Sequence, residues 1–451
     1  MSLSLSHLTP IRRDLLAIMQ AALDAVDPFR AVRRVLRCDA DTLYLNALAL
    51  PLSSFERIFV IGAGKAGAPM AQAVEAVLGE RLTGGLVVVK YEHLAPLSRV
   101  ELREAAHPVP DEAGLAAGEA IVALAEELTE GDLVLCLLSG GGSALLEALP
   151  APLTLHDLQA TTGALLACGA TINEINAVRK HLSRVKGGQL ARAVAPATLL
   201  TLVLSDVVGS PLDVIASGPT VADHSTWADV EQIVARYELQ ASLPTAVRQR
   251  IEAGIAGKLP ETPKAGDPLF EKAPVVIVGD NAQAARAAQQ EAEARGYHSA
   301  ILTTFLEGEA KEVAKMAVAL GREVRAHSRP CAAPACLILG GETTVTLGSS
   351  AIGKGGRNQE LALAAALILS GQEGTTIGAL ATDGTDGPTD SAGAIVDHST
   401  IARALPHKLS AADHLARHDA YPFLDRVGDL LRSGPTNTNV NDLLFVVVEK
   451  P

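Results

Sequence analysis

Arg57-Ile-Phe-Val-Ile61 runs directly into Gly62-Ala-Gly-Lys-Ala-Gly67, and then into Ala68-Pro-Met-Ala-Gln-Ala-Val-Glu-Ala-Val-Leu78. The first five residues read as a buried strand and the last eleven as a helix, so the glycines turn a strand into a helix. The turn matches G-x-G-x-x-G, whose glycines let backbone N–H groups approach an anion at a helix N-terminus. A dinucleotide site also asks for an acid about 20 residues on, and Glu92 stands near the end of the next strand-like run. Lys65 inside the fingerprint adds a point charge for a phosphate or carboxylate. The motif is not a Walker A loop, which has four residues between its glycines and Ser or Thr after Lys. The plain alternative is a tight turn with a solvated lysine.

Working outward, short apolar runs alternate with longer helical patterns. Strand-like runs are Arg57–Ile61, Gly85–Lys90, Asp132–Leu138, Leu199–Ser205, Pro274–Val278, Ser299–Thr303, Cys336–Leu339, Thr376–Ala381 and Leu443–Val448. Helical segments between them include Ala113–Leu128, Asn281–Arg295, Glu309–Ala326 and Asn358–Leu369. Val/Ile/Leu runs without polar alternation predict strands buried on both faces, as in parallel sheets covered by helices. The fold class is therefore α/β, and its chemistry is expected in the loops after the strands. Gly254, Gly257, Pro260, Pro263, Gly266 and Pro268 crowd one stretch, which sets the expected domains at residues 1–240 and 270–451.

The chain has 451 residues, 38 basic against 51 acidic, and a formal charge of −13. Charged residues are 20% and hydrophobic ones 48%, which excludes disorder. The longest apolar run, Leu361–Leu369, falls far short of the ~20 residues of a membrane span. Leu15–Met19, behind Arg12, Arg13 and Asp14, reads as an amphipathic helix rather than an export signal. Five scattered cysteines form no CxxC pair, which argues against zinc and disulfides. The acidic excess argues against nucleic acid as a partner. A cytoplasmic protein is expected.

The other strand-end loops are richer still. Ser139-Gly140-Gly141-Gly142-Ser143 opens a helix, and three glycines between hydroxyls resemble an anion nest made for phosphate. Asn176–Gly188 carries Arg179, Lys180, Arg184 and Lys186 without an acid, either a solvated basic face or a ligand surface. Asp206 ends a strand, a place for a general base or Mg²⁺ ligand and equally for a helix cap. The loop reaches Ala216-Ser217-Gly218-Pro219-Thr220. In the C-terminal half, Gly340-Gly341-Glu342-Thr343 follows a strand, and Gly353-Lys-Gly-Gly-Arg357-Asn-Gln-Glu360 opens a helix. Arg357 there suits bidentate contact with a carboxylate or phosphate. Asp383–Asp390 does not fit an EF-hand, and Gly434–Asp442 reads as loop-fixing. Together, glycine anion loops, isolated cations and strand-end acids point to phosphoryl transfer.

These motifs, with Leu137–Leu145, Asn173–Gly188 and Thr382–Asp390, resemble the class II glycerate 2-kinases, whose C-terminal region is of the MOFRL type. Members are often labelled hydroxypyruvate reductases. The resemblance runs from about residue 10 to the C-terminus. It implies a Rossmann-like parallel-sheet α/β/α N-terminal domain, a C-terminal α/β domain with its MOFRL-type region over 335–446, and an active site in the cleft between them. It implies transfer of the ATP γ-phosphoryl group to the 2-hydroxyl of D-glycerate with Mg²⁺. Lys65 and Arg357 take the places of the family's essential Lys and Arg, and Asp206 that of its strand-end Asp, as base or Mg²⁺ ligand. The nucleotide is then expected at Gly62, Gly64, Gly67, Ser139, Gly140, Gly141, Gly142, Ser143 and Glu342. One departure lies beside Asp206, where Val208–Asp213 replaces the family's usual Pro-Gly-Asp-Asp-like turn.

Two other readings stay open: an NAD(P)H-dependent hydroxypyruvate reductase, on the glycine fingerprint and Glu92, and a non-catalytic metabolite sensor. Monomer and homodimer are both compatible with the sequence. Anionic substrates on an acidic chain require local basic charge, expected at Lys65, Arg179–Lys186, Lys354 and Arg357. With aromatics at 3%, few rings remain to stack an adenine, so nucleotide recognition is expected to lean on phosphate and backbone contacts.

Overall fold

The computed structural model describes residues 2–348 and 353–450. The chain divides into two compact units: Pro28–Val278, and the residues through Asp27 together with Gly279 onward. No helix among the described residues is long and apolar enough to cross a membrane.

The first unit begins with an antiparallel meander, β1 (Leu36–Asp39), β2 (Thr42–Leu45) and β3 (Leu48–Pro51). Its main sheet contains β4 (Arg57–Ala63), β5 (Gly84–Lys90), β6 (Val100–Ala105), β7 (Asp132–Ser139), β8 (Thr198–Leu204) and β9 (Val275–Gly279). The spatial order is β6-β5-β4-β7-β8-β9. Counted from its first strand this is 3-2-1-4-5-6, the order of doubly wound dinucleotide-binding sheets. The pairs from β6 through β8 are parallel, as the unbroken apolar runs predicted. Chain order reverses between β4 and β7, so the loops after these two strands flank the switch point where such sheets bind ligands. In register, Ala63 lies opposite Leu138, and both glycine loops leave the sheet side by side.

The expected domain limits shift at both ends. Residues 241–278 stay with the first unit because β9 joins its sheet beside β8, where the Thr201 N–H donates to the Pro274 carbonyl at 3.0 Å. The N-terminal 27 residues leave it. Helix Pro10–Ala25 buries Leu15, Ile18, Met19 and Ala22, a stripe at three- and four-residue spacing, within the second unit. There Gly378 has no side chain because a Cβ would lie 2.4 Å from Met19 and 2.9 Å from Leu15.

The second unit's sheet contains β10 (His298–Leu306), β11 (Ala335–Gly341), β12 (Thr375–Ala381), β13 (Gly393–Asp397), β14 (Leu430–Leu431) and β15 (Asp442–Val448), in the order β10-β11-β15-β12-β13-β14. Only β10 and β11 pair in parallel; the other pairs are antiparallel. The sequence pattern predicted parallel strands, and the difference has a physical reason. Helices Pro10–Ala25 and Asn281–Ala294 cover one face, and helices Ala310–His327 and Arg357–Leu369 the other. Every residue of β11, β12 and β15 is buried, so these strands are apolar throughout whatever their direction.

Candidate active site

The two glycine loops at the switch point have different jobs. In the first, the Gly64 N–H donates to the Val88 carbonyl (3.0 Å), Lys65 to Gly140 (2.9 Å) and Gly67 to Gly64 (3.0 Å). The Ala66 N–H donates to Ser139 Oγ at 3.0 Å. These amides are taken by the chain itself. Gly64 is glycine because a Cβ would stand 2.1 Å from Ser139 Oγ, and Gly67 because one would stand 2.7 Å from Val87. The fingerprint fastens one loop to the next instead of cradling an anion. In the second loop, the amides of Gly140, Gly141, Gly142 and Ser143 donate to no acceptor among the described residues. Gly141 adopts φ +85°, a left-handed conformation that favours glycine, and aims the chain into the short helix Gly142–Leu145.

Around this open loop lies a cavity of about 270 Å³ lined by His107, Ser143, Asn176, Arg179 and Asp206 among others. Asp206 follows β8 and presses its carboxylate on Gly140, where a Cβ would approach Oδ2 to 2.0 Å. Gly140→Ala is therefore expected to displace Asp206 or the loop and abolish turnover while leaving the melting temperature within a few degrees; steady-state assays with thermal melts check this. Ala216 also lines the cavity, within a run of three residues, 216–218, all at positive φ (51°, 62° and 61°). Two of them are not glycine, and strain of this kind persists only where the surroundings enforce it. Here Ser217 Oγ lies 2.9 Å from Ser143 Oγ and donates to Asn176 Oδ1 at 3.3 Å.

Lys65 is half-buried beside this loop, and its ammonium makes no hydrogen bond or ion pair among the described residues. Arg179 donates from Nη2 to the Ser143 carbonyl at 2.8 Å, while its buried Nε has no partner among the described residues. His107 stands against Gly141. Burial, then the charges of Lys65 and Lys90, push its pKa down to about 4, so it is neutral at pH 7.

The rest of the basic stretch is structural. Lys180 pairs with Asp223 (3.1 Å), Lys186 with Glu147 (3.1 Å) and Arg184 with Glu119 (2.9 Å). His181 is 3.2 Å from Glu261. Only Arg179 turns to the cavity, which narrows the expected basic surface to one residue.

Arg357 and Glu342 lie in the second unit. Arg357 makes the expected bidentate contact with a carboxylate, but that carboxylate is Asp442 of the chain (2.5 and 3.0 Å). Nη1 donates to Glu342 at 2.6 Å. Burial drives Asp442 up to about 7, opposed by the bonds and charge of Arg357. The helix that Arg357 opens is already capped: Asp386 accepts the N–H groups of Asn358 (3.1 Å) and Gln359 (2.8 Å). Lys354 sits over the Tyr421 ring at 4.1 Å. Among the described residues no group of three or more His, Cys, Asp or Glu is placed to hold a metal.

Sequence reasoning missed His107, which belongs to no motif. It also read Asp442 as a loop-fixing residue. Its place as the first residue of the last buried strand was the available signal.

Two family profiles match: "Domain of unknown function (DUF4147)" over residues 14–252 and "MOFRL family" over 335–442. A glycerate 2-kinase from Pyrococcus horikoshii is 39% identical over 97% of both chains. The crystal structure of a glycerate kinase from Thermotoga maritima superposes with a TM-score of 0.87 at 40% identity, covering 97% of this chain and 99% of that one. The chain belongs to the glycerate 2-kinase family. A protein from Agrobacterium vitis provisionally named hydroxypyruvate reductase is 44% identical over 88% of this chain and 89% of its own. The first glycine loop bears on that name, because a dinucleotide pyrophosphate would need the amides that Ser139 and Gly140 occupy. The α/β architecture agrees with the glycerate kinase family throughout both units.

Proposed function

We propose that this chain transfers the γ-phosphoryl group of ATP to the 2-hydroxyl of D-glycerate, giving 2-phosphoglycerate, with Mg²⁺. The observation that carries this reading is the convergence, at the switch point of the first unit, of Arg179 and Asp206 with loop amides and a Lys65 ammonium that have no partner among the described residues. Phosphoryl transfer is catalysed by positioning and by neutralising charge on the transferred group. The amides of Gly140–Ser143 and the Lys65 ammonium supply donors for phosphoryl oxygens. Asp206 accepts the substrate hydroxyl proton or takes a place on the metal. Neutral His107 adds a hydrogen-bonding group without repelling a cation.

The donor set fits Mg²⁺, which is commonly held by one or two carboxylates plus substrate phosphates. Asp206 would hold it, and the bound ion would offset charge on the phosphate oxygens. Arg357 has three of its five N–H donors committed to Asp442 and Glu342, which fixes the fork and leaves two for a substrate anion.

Purified protein with MgATP and D-glycerate is expected to release ADP, and phosphorus NMR to show the 2-phosphate ester. Oxidation of NADH by hydroxypyruvate, without ADP release in the first assay, would overturn the assignment.

A further inference from the structure

Helix Ile172–His181 turns one stripe to the first unit's cavity: Ile172, Asn176 and Arg179, spaced i, i+4 and i+7, all line it. Every wall of that cavity belongs to the first unit. Arg179 differs from the fully buried Arg12 and Lys186, each of which pairs with a carboxylate. Its one hydrogen bond goes to the Ser143 carbonyl, and it makes no ion pair among the described residues. Glu147, whose charge reaches it, is committed elsewhere: it pairs with Lys186 at 3.1 Å and accepts from Ser183 at 2.7 Å. Burial pulls the Arg179 pKa down, and Glu147 only partly opposes it. Two cations thus share one carboxylate, and a guanidinium keeps its proton in a protein. That excess charge is costly until an anion offsets it. Asn176 adds a donor. It is 5% exposed and accepts at Oδ1 from Ser217, while Nδ2 meets no acceptor among the described residues.

A guanidinium fork beside an amide N–H suits a carboxylate, which accepts on both oxygens. The cavity, about 270 Å³, is smaller than the roughly 300–1,000 Å³ that hold a drug-sized ligand, so it suits a small acid or a phosphate tail. The amides of Gly140–Ser143 already offer donors to a phosphoryl group, and Asp206, which faces the reacting hydroxyl in the mechanism above, lines the same cavity. On the kinase reading, on which this step rests, one substrate carries a carboxylate on the carbon that bears that hydroxyl. We infer that Arg179 and Asn176 hold the carboxylate of D-glycerate and so set the specificity for 2-hydroxy acids. Lys65 is then left to the transferring phosphoryl group.

Steady-state assays with MgATP on D-glycerate and on D-glyceramide, its neutral amide, test this. The wild type should prefer the acid. Arg179→Met keeps the stem and removes the fork. Its KM for D-glycerate should rise about 10- to 100-fold, as loss of a hydrogen bond to a charged group does, with KM for MgATP within about twofold of wild type. The preference for D-glycerate over D-glyceramide in kcat/KM should shrink by the same factor. Asn176→Asp keeps an acceptor for Ser217 and sets a carboxylate one helical turn from the fork. It should raise KM for D-glycerate more than for D-glyceramide. If Arg179 only supported the loop, both substrates would lose turnover in parallel, so an unchanged preference in both variants would overturn the carboxylate site alone. A raised KM for MgATP with that for D-glycerate unchanged would also overturn it, by placing a nucleotide phosphate on Arg179. A wild-type protein that phosphorylates neither substrate would overturn it together with the kinase reading.

Discussion

Lys65→Ala is expected to lower kcat/KM for ATP-dependent phosphorylation of glycerate by about 10³-fold while leaving the melting temperature unchanged. The size follows from what one preorganised cation or donor contributes to a transition state that develops charge on phosphoryl oxygens. The unchanged stability follows from the structure. Lys65 makes no side-chain hydrogen bond or ion pair among the described residues, so its removal orphans nothing. The loop is held by its backbone, through Gly140 and Ser139. Lys65→Arg should recover little, since a planar fork cannot replace a compact ammonium beside Gly141 and His107. Steady-state kinetics with thermal melts decide the matter. Near-normal turnover in Lys65→Ala would remove the residue from the mechanism, and a large drop in melting temperature would make it a packing residue.

The strand-turn-helix at Arg57–Leu78 was legible because it is local: an apolar run, glycines and a helical pattern within 22 residues. What the glycines do was not legible, because the acceptors that consume their amides come from Ser139 and Gly140, 73 residues on in the case of Ala66. Arg357 shows the same division. Side-chain chemistry predicted a bidentate carboxylate partner, but the carboxylate is Asp442, 85 residues away, and no spacing rule pairs them. The basic stretch misled for a related reason. Its counter-ions, Asp223, Glu147 and Glu119, lie outside the segment, so a run without acids looked unpaired. The direction of β12 and β15 was hidden because double-sided burial erases the alternation that marks antiparallel strands. The N-terminal helix read correctly as amphipathic, yet amphipathicity does not say which core receives its stripe.

Arg12, in that helix, carries the largest expected effect on stability. Its side chain is fully buried, donating from Nε to Asp397 Oδ2 at 2.7 Å and from Nη1 to Asp429 Oδ1 at 2.5 Å. Asp429 also accepts from Thr400 (2.7 Å) and Arg403 (2.8 Å). Arg12→Met keeps most of the volume but strands two buried carboxylates, leaving Arg403 on Asp429 and the His7 ring near both. Breaking a buried pair in this way costs about 3–5 kcal/mol. The loss should appear as faster amide exchange in helix Pro10–Ala25 and β13. The pH dependence gives an independent sign. Burial alone would raise Asp397, but the charge of Arg12, with hydrogen bonds from Ser399 and Arg12, outweighs it and brings the carboxyl down to about 2. A folded pKa below the unfolded one means stability present above pH ~4 and lost as pH falls through about 2, worth about 2 kcal/mol. In Arg12→Met the sign reverses. Uncompensated buried carboxylates titrate above their unfolded values, so the variant should gain stability relative to the wild type as pH falls from 7 toward 5. The triple variant Arg12→Met, Asp397→Asn, Asp429→Asn removes the stranded charges and should recover part of the loss. A single variant destabilised by less than about 1 kcal/mol, or one without the reversed pH slope, would show that Arg12 does not hold this helix to the second unit's core.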